Sequence, residues 1–442
     1  MNSDETQPIA SHEDGPVTTM ELVIERLGAQ GDGIATRMLE PGGHAEALPE
    51  TVYVPYTLPG ERVCVQVDGA RAQLQSIITP SPERIAPVCP HFTDCGGCSL
   101  QHIAPDAYGE WKRALVVEAF RQRAIEADVA PLTMAGAGAR RRAMLSALAT
   151  KAGIVLGYHA ARDDHVIDLS ACPVLDQRIV ESLSDVRRLL GALPRWEGEA
   201  RVAILAAENG LDVAIDGAVG KSGLDPNASA ELGTEASRVN GLLRLVVDGI
   251  PIFQMAKPAL AMGGASVVPA PGSFLQASAA AEKAMADVVL KVLPKKAKRA
   301  IDLFSGVGAF CFPLASRVAV AAVDSDEHAL SALDAAMRTA HGLKPITTLH
   351  RDLFREPLSR KELEPFDLAV FDPPRAGAKA QAEMLAKSKV PVVVAVSCNP
   401  ATLARDARIL IDGGYRLGKV TPIDQFHWSA HVEAVAVFRR PK

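Results

Sequence analysis

The sequence has no apolar run long enough to cross a membrane and no recognisable export signal. Residues 1–17 are polar and acidic, which is the wrong chemistry for a signal peptide, and they are predicted to form a disordered tail. Without export, we expect the protein to be cytoplasmic, and its seven cysteines to remain reduced. Disulfides are therefore a poor explanation for these cysteines.

A strong excess of positive charge is also lacking. The formal net charge of −5 argues against a uniformly basic protein that binds nucleic acid. Three local basic segments remain candidates for such a surface, although each is more often an ordinary solvated face. These segments are residues 111–123, 140–142 and 295–299.

At 442 residues the chain is long enough for two or three domains. Residues 18–80 contain five short runs of alternating apolar and polar residues, separated by turns with glycine or proline, and this pattern is typical of a small β-barrel. Such barrels often bind RNA. A long amphipathic helix is predicted over 105–130, and residues 131–265 mix short strands and helices.

From about residue 297, predicted strands and helices alternate regularly to the end of the chain. This alternation predicts an α/β fold with a doubly wound parallel sheet, whose ligand binds at the carboxyl ends of the strands. The first turn, "SGVGAF" at 305–310, lacks the third glycine of a dinucleotide fingerprint and the lysine of a phosphate loop. Gly306 and Gly308 would let the backbone pass close to a ligand.

Three acids end successive predicted strands: Asp324, Asp352 and Asp372. Asp324 is suited to accept hydrogen bonds from two ribose hydroxyls. A ligand with a sugar and an adenine but no pyrophosphate fits this row, and S-adenosylmethionine is such a ligand. The motif "DPPR" at 372–375 has Arg375 where the amino methyltransferases place an aromatic residue, so the chemistry must lie elsewhere.

Cys398 ends an uncharged run of β-branched residues, where Asn399-Pro400 forces a turn and Thr402 is predicted to cap the next helix. We expect N–H groups of that helix to favour the Cys398 thiolate. Glu433 is an unexpected charge in an apolar strand. A thiolate that adds to uracil C6, with a base that removes the C5 proton, is the pair needed to methylate C5. His431 is equally compatible with supporting this site or with packing.

Four further cysteines are spaced as a metal site: Cys89, Cys95, Cys98 and Cys172. Four thiolates can hold either a zinc ion or a [4Fe–4S] cluster, and the spacing leaves both open. Cys64 and Cys311 lie in apolar patterns and are interpreted as inert core residues. Arg140, Arg141 and Arg142 are candidates for phosphate contacts.

Four motifs together resemble the RNA 5-methyluridine methyltransferase family: "DLFSGVGAF", "FDPPRAG", "SCNPATLARD" and "DQFHWSAHVEAV". The resemblance implies that Cys398 attacks C6 and that Glu433 takes the C5 proton. It also implies cofactor contacts from Gln276, Phe304 and the strand-end acids. In the family "DMFPxTxH" is usual where this chain has "DQFHWSAH", and a glutamate usually replaces Asp324.

The resemblance further implies a domain organisation, which extends over residues 18–442. Residues 18–80 would form an OB-like TRAM β-barrel that binds RNA, and 88–104 with 131–265 a central α+β iron–sulfur domain. The helix at 105–130 would pack on a Rossmann-like class I methyltransferase domain, residues 266–442, with a seven-stranded sheet. The ribosomal-RNA branch of the family carries a [4Fe–4S] cluster at cysteines matching Cys89, Cys95, Cys98 and Cys172, which favours 23S ribosomal RNA as the partner.

Three alternatives remain open. The first is a transfer-RNA uracil-C5 methyltransferase, and the second is a non-catalytic RNA-binding protein that retains a methyltransferase shell. The third is a radical enzyme with a TRAM barrel, but such enzymes need a C-x3-C-x2-C spacing, whereas this chain has C-x5-C-x2-C. We expect a monomer that does not bind membranes.

Overall fold

The computed structural model describes residues 18–39, 48–194, 196–219 and 223–441, and the tail predicted over 1–17 lies outside them. The chain divides into two compact units. The first comprises the described part of residues 1–86 together with 102–104, and the second comprises 87–101 with 105–441. No helix within the described ranges is both long and apolar enough to span a membrane.

The first unit is one six-stranded sheet in the order β1-β5-β6-β4-β3-β2. Its strands are β1 (Thr18–Val23), β2 (Arg26–Leu27), β3 (Gly33–Leu39), β4 (Leu48–Val54), β5 (Arg62–Asp68) and β6 (Arg71–Thr79). Alternate residues of β5, which are Val63, Val65 and Val67, are buried in its core. The sheet has one strand more than the five predicted, because the first run changes its partner strand. Ile24 still bonds to Glu61 beside β5, whereas the N–H of Glu25 bonds to Ile34 of β3.

The second unit begins with a helix, a two-residue strand and an antiparallel region. Its elements are α1 (Pro105–Arg121), β7 (Thr133–Met134), β8 (Arg142–Thr150), β9 (Gly153–His159), β10 (Val166–Asp168), α2 (Gln177–Gly191), β11 (Glu199–Ala207), β12 (Gly210–Asp216), α3 (Pro226–Ala236), β13 (Leu242–Val247), β14 (Ile250–Gln254), β15 (Leu260–Met262) and β16 (Ala265–Val267). Seven of these strands form a sheet in the order β10-β9-β8-β11-β12-β13-β14, and β15 pairs with β16. Helix α1 ends well before the predicted residue 130.

The rest of the second unit alternates helices and strands. The elements are α4 (Ala279–Val292), β17 (Arg299–Leu303), α5 (Cys311–Ala315), β18 (Ala319–Asp324), α6 (Glu327–Thr339), β19 (Ile346–His350), α7 (Arg360–Leu363), β20 (Leu368–Phe371), α8 (Lys379–Lys387), β21 (Val392–Ser397), α9 (Pro400–Asp412), β22 (Arg416–Asp424) and β23 (Glu433–Arg439). They form a sheet in the order β19-β18-β17-β20-β21-β23-β22-β7.

This sheet has eight strands rather than the predicted seven, because β7 adds two residues beside the end of β22. Every strand is parallel to its neighbours except β23, which is antiparallel to β21 and β22. Along β21, Val392, Val394 and Val396 face one apolar cluster, and Val393 and Ala395 face the other. The sheet is therefore covered on both faces, as its uncharged strands require.

The strand order changes direction between β17 and β20. In an open sheet of this kind the connections leave a crevice at the carboxyl ends of the strands at such a point. Because β23 is antiparallel, its first residue lies at the same edge as the last residues of the parallel strands. The residues at this edge form the candidate site.

Candidate active site

Six of the predicted residues lie at or just beyond the carboxyl edge of the sheet. They are Phe304 after β17, Asp324 at the end of β18, Asp352 after β19, Asp372 after β20, Cys398 after β21 and Glu433 at the start of β23. The register between β21 and β23 brings the last two together, because Ser397 pairs with Ala434 and the next residue of each strand end is Cys398 and Glu433. On the other side of β23, Glu433 pairs with Ile423 of β22.

The turn after β21 is capped differently from the prediction. Asn399, and not Thr402, is the N-cap of α9, since its side chain accepts a hydrogen bond from the N–H of Ala401 at 3.1 Å. The Thr402 hydroxyl instead donates to the carbonyls of Asn399, at 3.1 Å, and Arg375, at 3.3 Å. Pro400 has no N–H to offer. These contacts hold the backbone of Arg375 against the start of α9.

The half-buried thiol of Cys398 is not activated in the way that the sequence suggested. Burial, together with the nearby carboxyls of Glu433 and Asp372, raises the pKa of Cys398 to about 11. The guanidinium of Arg375 acts in the opposite direction and lowers the pKa of this thiol. Arg375 and the backbone N–H of Cys398 are therefore the groups that favour the thiolate.

Two glutamine side chains connect the carboxyls of Asp372 and Glu433. The amide nitrogen of Gln276 donates to Asp372 Oδ2 at 2.7 Å. The amide nitrogen of Gln425 donates to Gln276 Oε1 at 2.9 Å and to Glu433 Oε2 at 2.6 Å. The amide oxygen of Gln425 accepts the N–H of Ala277 at 3.2 Å. We call Asp372, Gln276, Gln425 and Glu433 the amide relay.

Glu433 is deeply buried, so it is not a charge on the solvent face of its strand. Burial and the neighbouring Asp372 carboxyl raise the pKa of Glu433 well above its usual value. Burial also raises the pKa of Asp372, to about 7, against the effect of the Gln276 hydrogen bond. Glu433 Oε1 receives no hydrogen bond from any residue that the structure describes. A buried carboxyl with one free oxygen and a raised pKa is suited to accept a proton.

The opposite end of the edge offers acceptors of another kind. Asp324 Oδ2 accepts the N–H of Gly306 at 2.7 Å, and Oδ1 accepts the N–H of Asp326 at 2.9 Å. Gly306 has a φ of 51°, and a Cβ added there would meet no protein atom within 4 Å. At Gly308 a Cβ would lie 2.8 Å from the Phe312 ring, so this glycine permits close packing of the turn.

Aromatic rings flank these acids. Phe304 has a φ of 64°, unusual for a residue with a side chain, and its ring centroid lies 5.4 Å from that of the half-exposed Phe354. Asp352 accepts the N–H of Phe354 at 2.9 Å. Open space at Gly306, carboxylates and exposed aromatic surface together suit a nucleoside.

Asp302 was missed from the sequence because it lies inside strand β17. It is fully buried, and burial raises its pKa to about 8, so it is mostly protonated at neutral pH. The thiol of Cys311 donates to its Oδ2 at 3.1 Å. Cys311 is fully buried in an apolar cluster, and burial raises its pKa, as expected for an inert core residue. A polar residue at the end of an otherwise apolar strand was the available signal.

The arginines at 140–142 do not act together. Arg141 is buried, and its guanidinium donates to Glu282 Oε2 at 2.6 Å and to the carbonyl of Gln276 at 3.2 Å. Its prediction as a phosphate contact is therefore wrong, because the group is enclosed and already paired. Arg142 lies 4.8 Å from the centre of the Phe274 ring, which is 71% exposed and was also missed.

The four cysteines of the predicted metal site line one cavity of about 250 Å³. All four are free thiols: Cys89, Cys95, Cys98 and Cys172. Burial raises the pKa of Cys98 to about 12. Across the described ranges, no three His, Cys, Asp or Glu side chains are arranged to hold one metal ion. Thiolates around one zinc would be about 4 Å apart, since each Zn–S bond is about 2.3 Å. Neither the zinc ion nor the predicted cluster is supported by a ligand arrangement within these ranges.

The segment between β22 and β23 lies between this cavity and the amide relay. Phe426, His427, Ser429 and His431 line the cavity, whereas Gln425 and Glu433 belong to the relay. The backbone N–H groups of Ser99 and Leu100, beside Cys98, both donate to the carbonyl of Trp428, at 2.9 and 3.1 Å. We call residues 425–432 the bridging segment.

A buried lysine anchors the bridging segment. Lys112 of α1 pairs with Asp424 and donates to the carbonyls of Phe426, at 3.0 Å, and His431, at 2.7 Å. The Tyr108 hydroxyl donates to Asp424 Oδ2 at 2.9 Å. Burial lowers the pKa of Lys112 to about 8. His431 contacts Arg375, with Nδ1 3.3 Å from Nη2.

Comparison with known proteins agrees with this geometry. Residues 268–440 match the family model described as tRNA (uracil-5-)-methyltransferase. An uncharacterised RNA methyltransferase of Brucella suis is 47% identical over 96% of this chain and 98% of its own length. The 23S rRNA (uracil(1939)-C(5))-methyltransferase of Alkalilimnicola ehrlichii is 33% identical over 96% of this chain and 97% of its own.

A solved structure has the same fold. It is the Pyrococcus abyssi tRNA (uracil-54, C5)-methyltransferase in complex with S-adenosyl-L-homocysteine, with a TM-score of 0.71 and 24% identity. The match covers 95% of this chain and 99% of that one. The sheet of the second unit is therefore that of a class I methyltransferase. The chain belongs to the RNA (uracil-5-)-methyltransferase family, enzymes that transfer a methyl group to uracil in RNA with S-adenosylmethionine as the donor.

Proposed function

We propose that this enzyme forms 5-methyluridine in 23S ribosomal RNA, with Cys398 as the nucleophile and Glu433 as the base. The Cys398 thiolate adds to C6 of a uracil, and the electron pair of the C5–C6 bond moves to C5 and O4. S-adenosylmethionine supplies a methyl group that C5 accepts. Glu433 then removes the C5 proton, the C5–C6 double bond re-forms and the thiolate leaves.

The observation that carries this proposal is the placement of Cys398 and Glu433 on neighbouring strands at one edge of the sheet. The uracil lies between them, with one group facing C6 and the other C5. Arg375 favours the thiolate that the addition needs. The target base must leave its stack to reach this edge, and Phe274, exposed beside Arg142, offers a ring for it to stack on.

The methyl donor fits the other end of the edge. We assign Asp324 to the ribose hydroxyls, because each oxygen of its carboxylate accepts one backbone N–H and keeps a further lone pair. Gly306 leaves space beside it. Phe304, Gly308 and Asp352 complete this end of the site, and Gln276 and Asp372 lie between donor and uracil.

We propose further that Cys89, Cys95, Cys98 and Cys172 hold a [4Fe–4S] cluster. A cavity of about 250 Å³ lined by four thiols suits a group larger than a single ion. The cluster would hold the parts of the chain that carry these cysteines together, since methyl transfer needs no redox step. Anaerobically purified protein should absorb in the visible iron–sulfur band, and Cys95→Ser should lose that absorbance.

The domain boundaries given above follow from the same resemblance, and we extend them to the protein as a proposal. Residues 18–80 would be an RNA-binding TRAM domain, and 88–104 with 131–265 the iron–sulfur domain. Residues 105–130 and 266–442 would carry the methyltransferase. We propose a cytoplasmic monomer.

Ribosomal RNA is favoured over transfer RNA by two observations. The Alkalilimnicola relative, named for a 23S rRNA uracil, matches the chain over nearly its whole length. The second is the presence of Cys89, Cys95, Cys98 and Cys172, which the resemblance associates with the ribosomal branch. The similarity to the Pyrococcus transfer-RNA enzyme, at 24% identity, concerns the fold and does not favour either RNA.

The test uses labelled S-adenosylmethionine with unmodified 23S rRNA and, separately, unmodified transfer RNA. Wild type should methylate uridine C5 in the ribosomal substrate, and Cys398→Ala should transfer nothing. Glu433→Gln should lower turnover by about 100-fold or more and accumulate a covalent protein–RNA adduct visible on a denaturing gel. Normal turnover by either variant would overturn the role given to that residue, and methylation of transfer RNA alone would overturn the substrate.

A further inference from the structure

A backbone N–H determines which atom is the oxygen and which is the nitrogen in each side-chain amide of the relay. The N–H of Ala277 can only donate, so the atom of Gln425 that faces it must be the amide oxygen. The Gln425 nitrogen therefore faces Glu433 Oε2 and Gln276 Oε1. Because Gln276 presents its oxygen to Gln425, its nitrogen must face Asp372 Oδ2.

This polarity makes the two oxygens of Glu433 unequal. Oε2 accepts an N–H at 2.6 Å, and a proton on Oε2 would turn it into a hydroxyl oxygen, which accepts that hydrogen bond more weakly than a carboxylate or carbonyl oxygen. Oε1 is buried and accepts no hydrogen bond from the described residues. The energetically favourable place for a proton on this carboxyl is therefore Oε1.

We propose that Gln425 is a positioning residue that selects Oε1 of Glu433 as the atom that receives the C5 proton and stabilises the ionised carboxylate before the transfer. This inference rests on the base role proposed for Glu433. When the proton leaves C5, it bonds to Oε1, and Oε2 becomes the carbonyl oxygen that still accepts the Gln425 N–H. The hydrogen bonds of the relay need no rearrangement during the step, so its reorganisation cost is small.

The surroundings of Glu433 give Gln425 a measurable effect. The ionisable groups that face this carboxyl are Asp372 and Cys398, and the ionised form of each disfavours a second negative charge beside it. The Gln425 hydrogen bond acts against them and lowers the pKa of Glu433. Removal of the N–H donor should raise that pKa, so that a higher pH is needed to ionise the base.

Gln425→Met removes both polar atoms at similar side-chain length. Methionine is also unbranched and adaptable in packing, so we expect the variant to fold and retain activity with a changed pH profile. Gln381→Met is the matched control, since Gln381 is also buried and bonds to the backbone of Leu358 at 2.8 and 3.3 Å. Gln381 lies outside the relay.

The experiment measures release of tritium from RNA with 5-tritiated uridine, divided by the amount of covalent adduct, from about pH 5 to 9. This ratio reports the rate of proton removal per covalent adduct, and it does not depend on the fraction of Cys398 that is ionised. As the pH falls, this ratio should decline when Glu433 becomes protonated, and we call that part of the profile the acid limb. For Gln425→Met the acid limb should move to higher pH by about one to two units, as expected for loss of a hydrogen bond to a charged group. Gln381→Met should lower stability and leave the limb in place.

Two outcomes separate this inference from the proposed function. If Glu433→Gln traps the adduct but the Gln425→Met profile coincides with that of wild type, Glu433 is the base and the role of Gln425 is wrong. If Glu433→Gln turns over normally, the base role itself is wrong. An equal shift in Gln425→Met and Gln381→Met would assign the effect to general loosening and overturn the positioning role.

Discussion

The carboxylates at the edge of the sheet are held in two different ways. Asp324 and Asp352, at one end, accept hydrogen bonds from backbone N–H groups. Asp372 and Glu433, at the other end, are bonded by side-chain amides and have raised pKa values. One type of side chain therefore has two electrostatic environments along one edge.

The difference lies in what each arrangement does for a negative charge. Backbone N–H groups favour an ionised carboxylate, which is then a steady acceptor for hydroxyl groups. Burial beside a second acid makes ionisation costly, so the carboxyl gains or loses a proton more readily near neutral pH. The first environment suits binding, and the second suits proton transfer.

A fifth carboxylate at this edge has a structural role and a third kind of environment. Asp424, which ends β22, is buried against Lys112. The Lys112 ammonium compensates the charge of Asp424, so this carboxylate neither binds a ligand nor accepts a proton from the substrate. Substitution of an acid in each of the three environments should change a different property of the enzyme: its stability, its KM for S-adenosylmethionine or its pH profile.

The largest effect is expected for Asp424→Asn. The Lys112 ammonium would remain buried without its counter-charge, and removal of one partner of a buried pair costs about 3–5 kcal/mol. Urea denaturation measures the loss. Glu110→Gln, which breaks the exposed pair with Arg113 on the same helix, is the control and should cost less than about 1 kcal/mol. Equal losses in the two variants would contradict a structural role for Asp424.

The next effect is expected for Asp324→Ala. Loss of the hydrogen bonds to the ribose hydroxyls should raise the KM for S-adenosylmethionine by about 100-fold, since hydrogen bonds to charged groups contribute about 1.5–3 kcal/mol. The pH profile and the covalent adduct with RNA should be unchanged. Asp326→Ala removes the N-cap of α6 two residues away, and it should lower stability while KM stays the same. A shifted pH profile in Asp324→Ala would contradict the view that Asp324 binds the donor whereas Asp372 and Glu433 act in proton transfer.

The smallest effect is expected for Asp372→Asn, with a sign opposite to that of Gln425→Met. Asp372, whose pKa is raised to about 7, carries charge at higher pH and opposes ionisation of Glu433. Asparagine is neutral at every pH, so the pKa of Glu433 should fall, and the acid limb of tritium release should move down by about one pH unit. Asp367→Asn, outside this edge, should leave the limb unmoved. An upward shift in Asp372→Asn would refute the electrostatic argument.

Much of this architecture could be predicted from local pattern. Uncharged β-branched strands, each followed by a turn, indicated the covered sheet, and the strand-end acids with Cys398 and Glu433 indicated its functional edge. The sequence could not indicate which acids would be buried. Gln425 and Gln276 are 149 positions apart, and their contact depends on tertiary packing that no local motif encodes.

The wrong predictions have the same origin. Arg141 was interpreted by its charge alone, whereas its partner Glu282 lies 141 positions away. The Cys398 thiol was expected to be favoured as a thiolate, but burial, together with two acids from other parts of the chain, raises its pKa. Thr402 lost the capping position to Asn399 because the cap depends on the path of the backbone.

The bridging segment places a constraint on how this enzyme can change. Its residues serve as a wall for the four thiols on one side and fix two members of the relay on the other. Insertion or deletion of a single residue there would displace Glu433 and reshape the cysteine cavity in one event. We therefore expect the bridging segment to change by substitution at constant length, and changes beside the cysteine cavity to be linked with changes beside the amide relay.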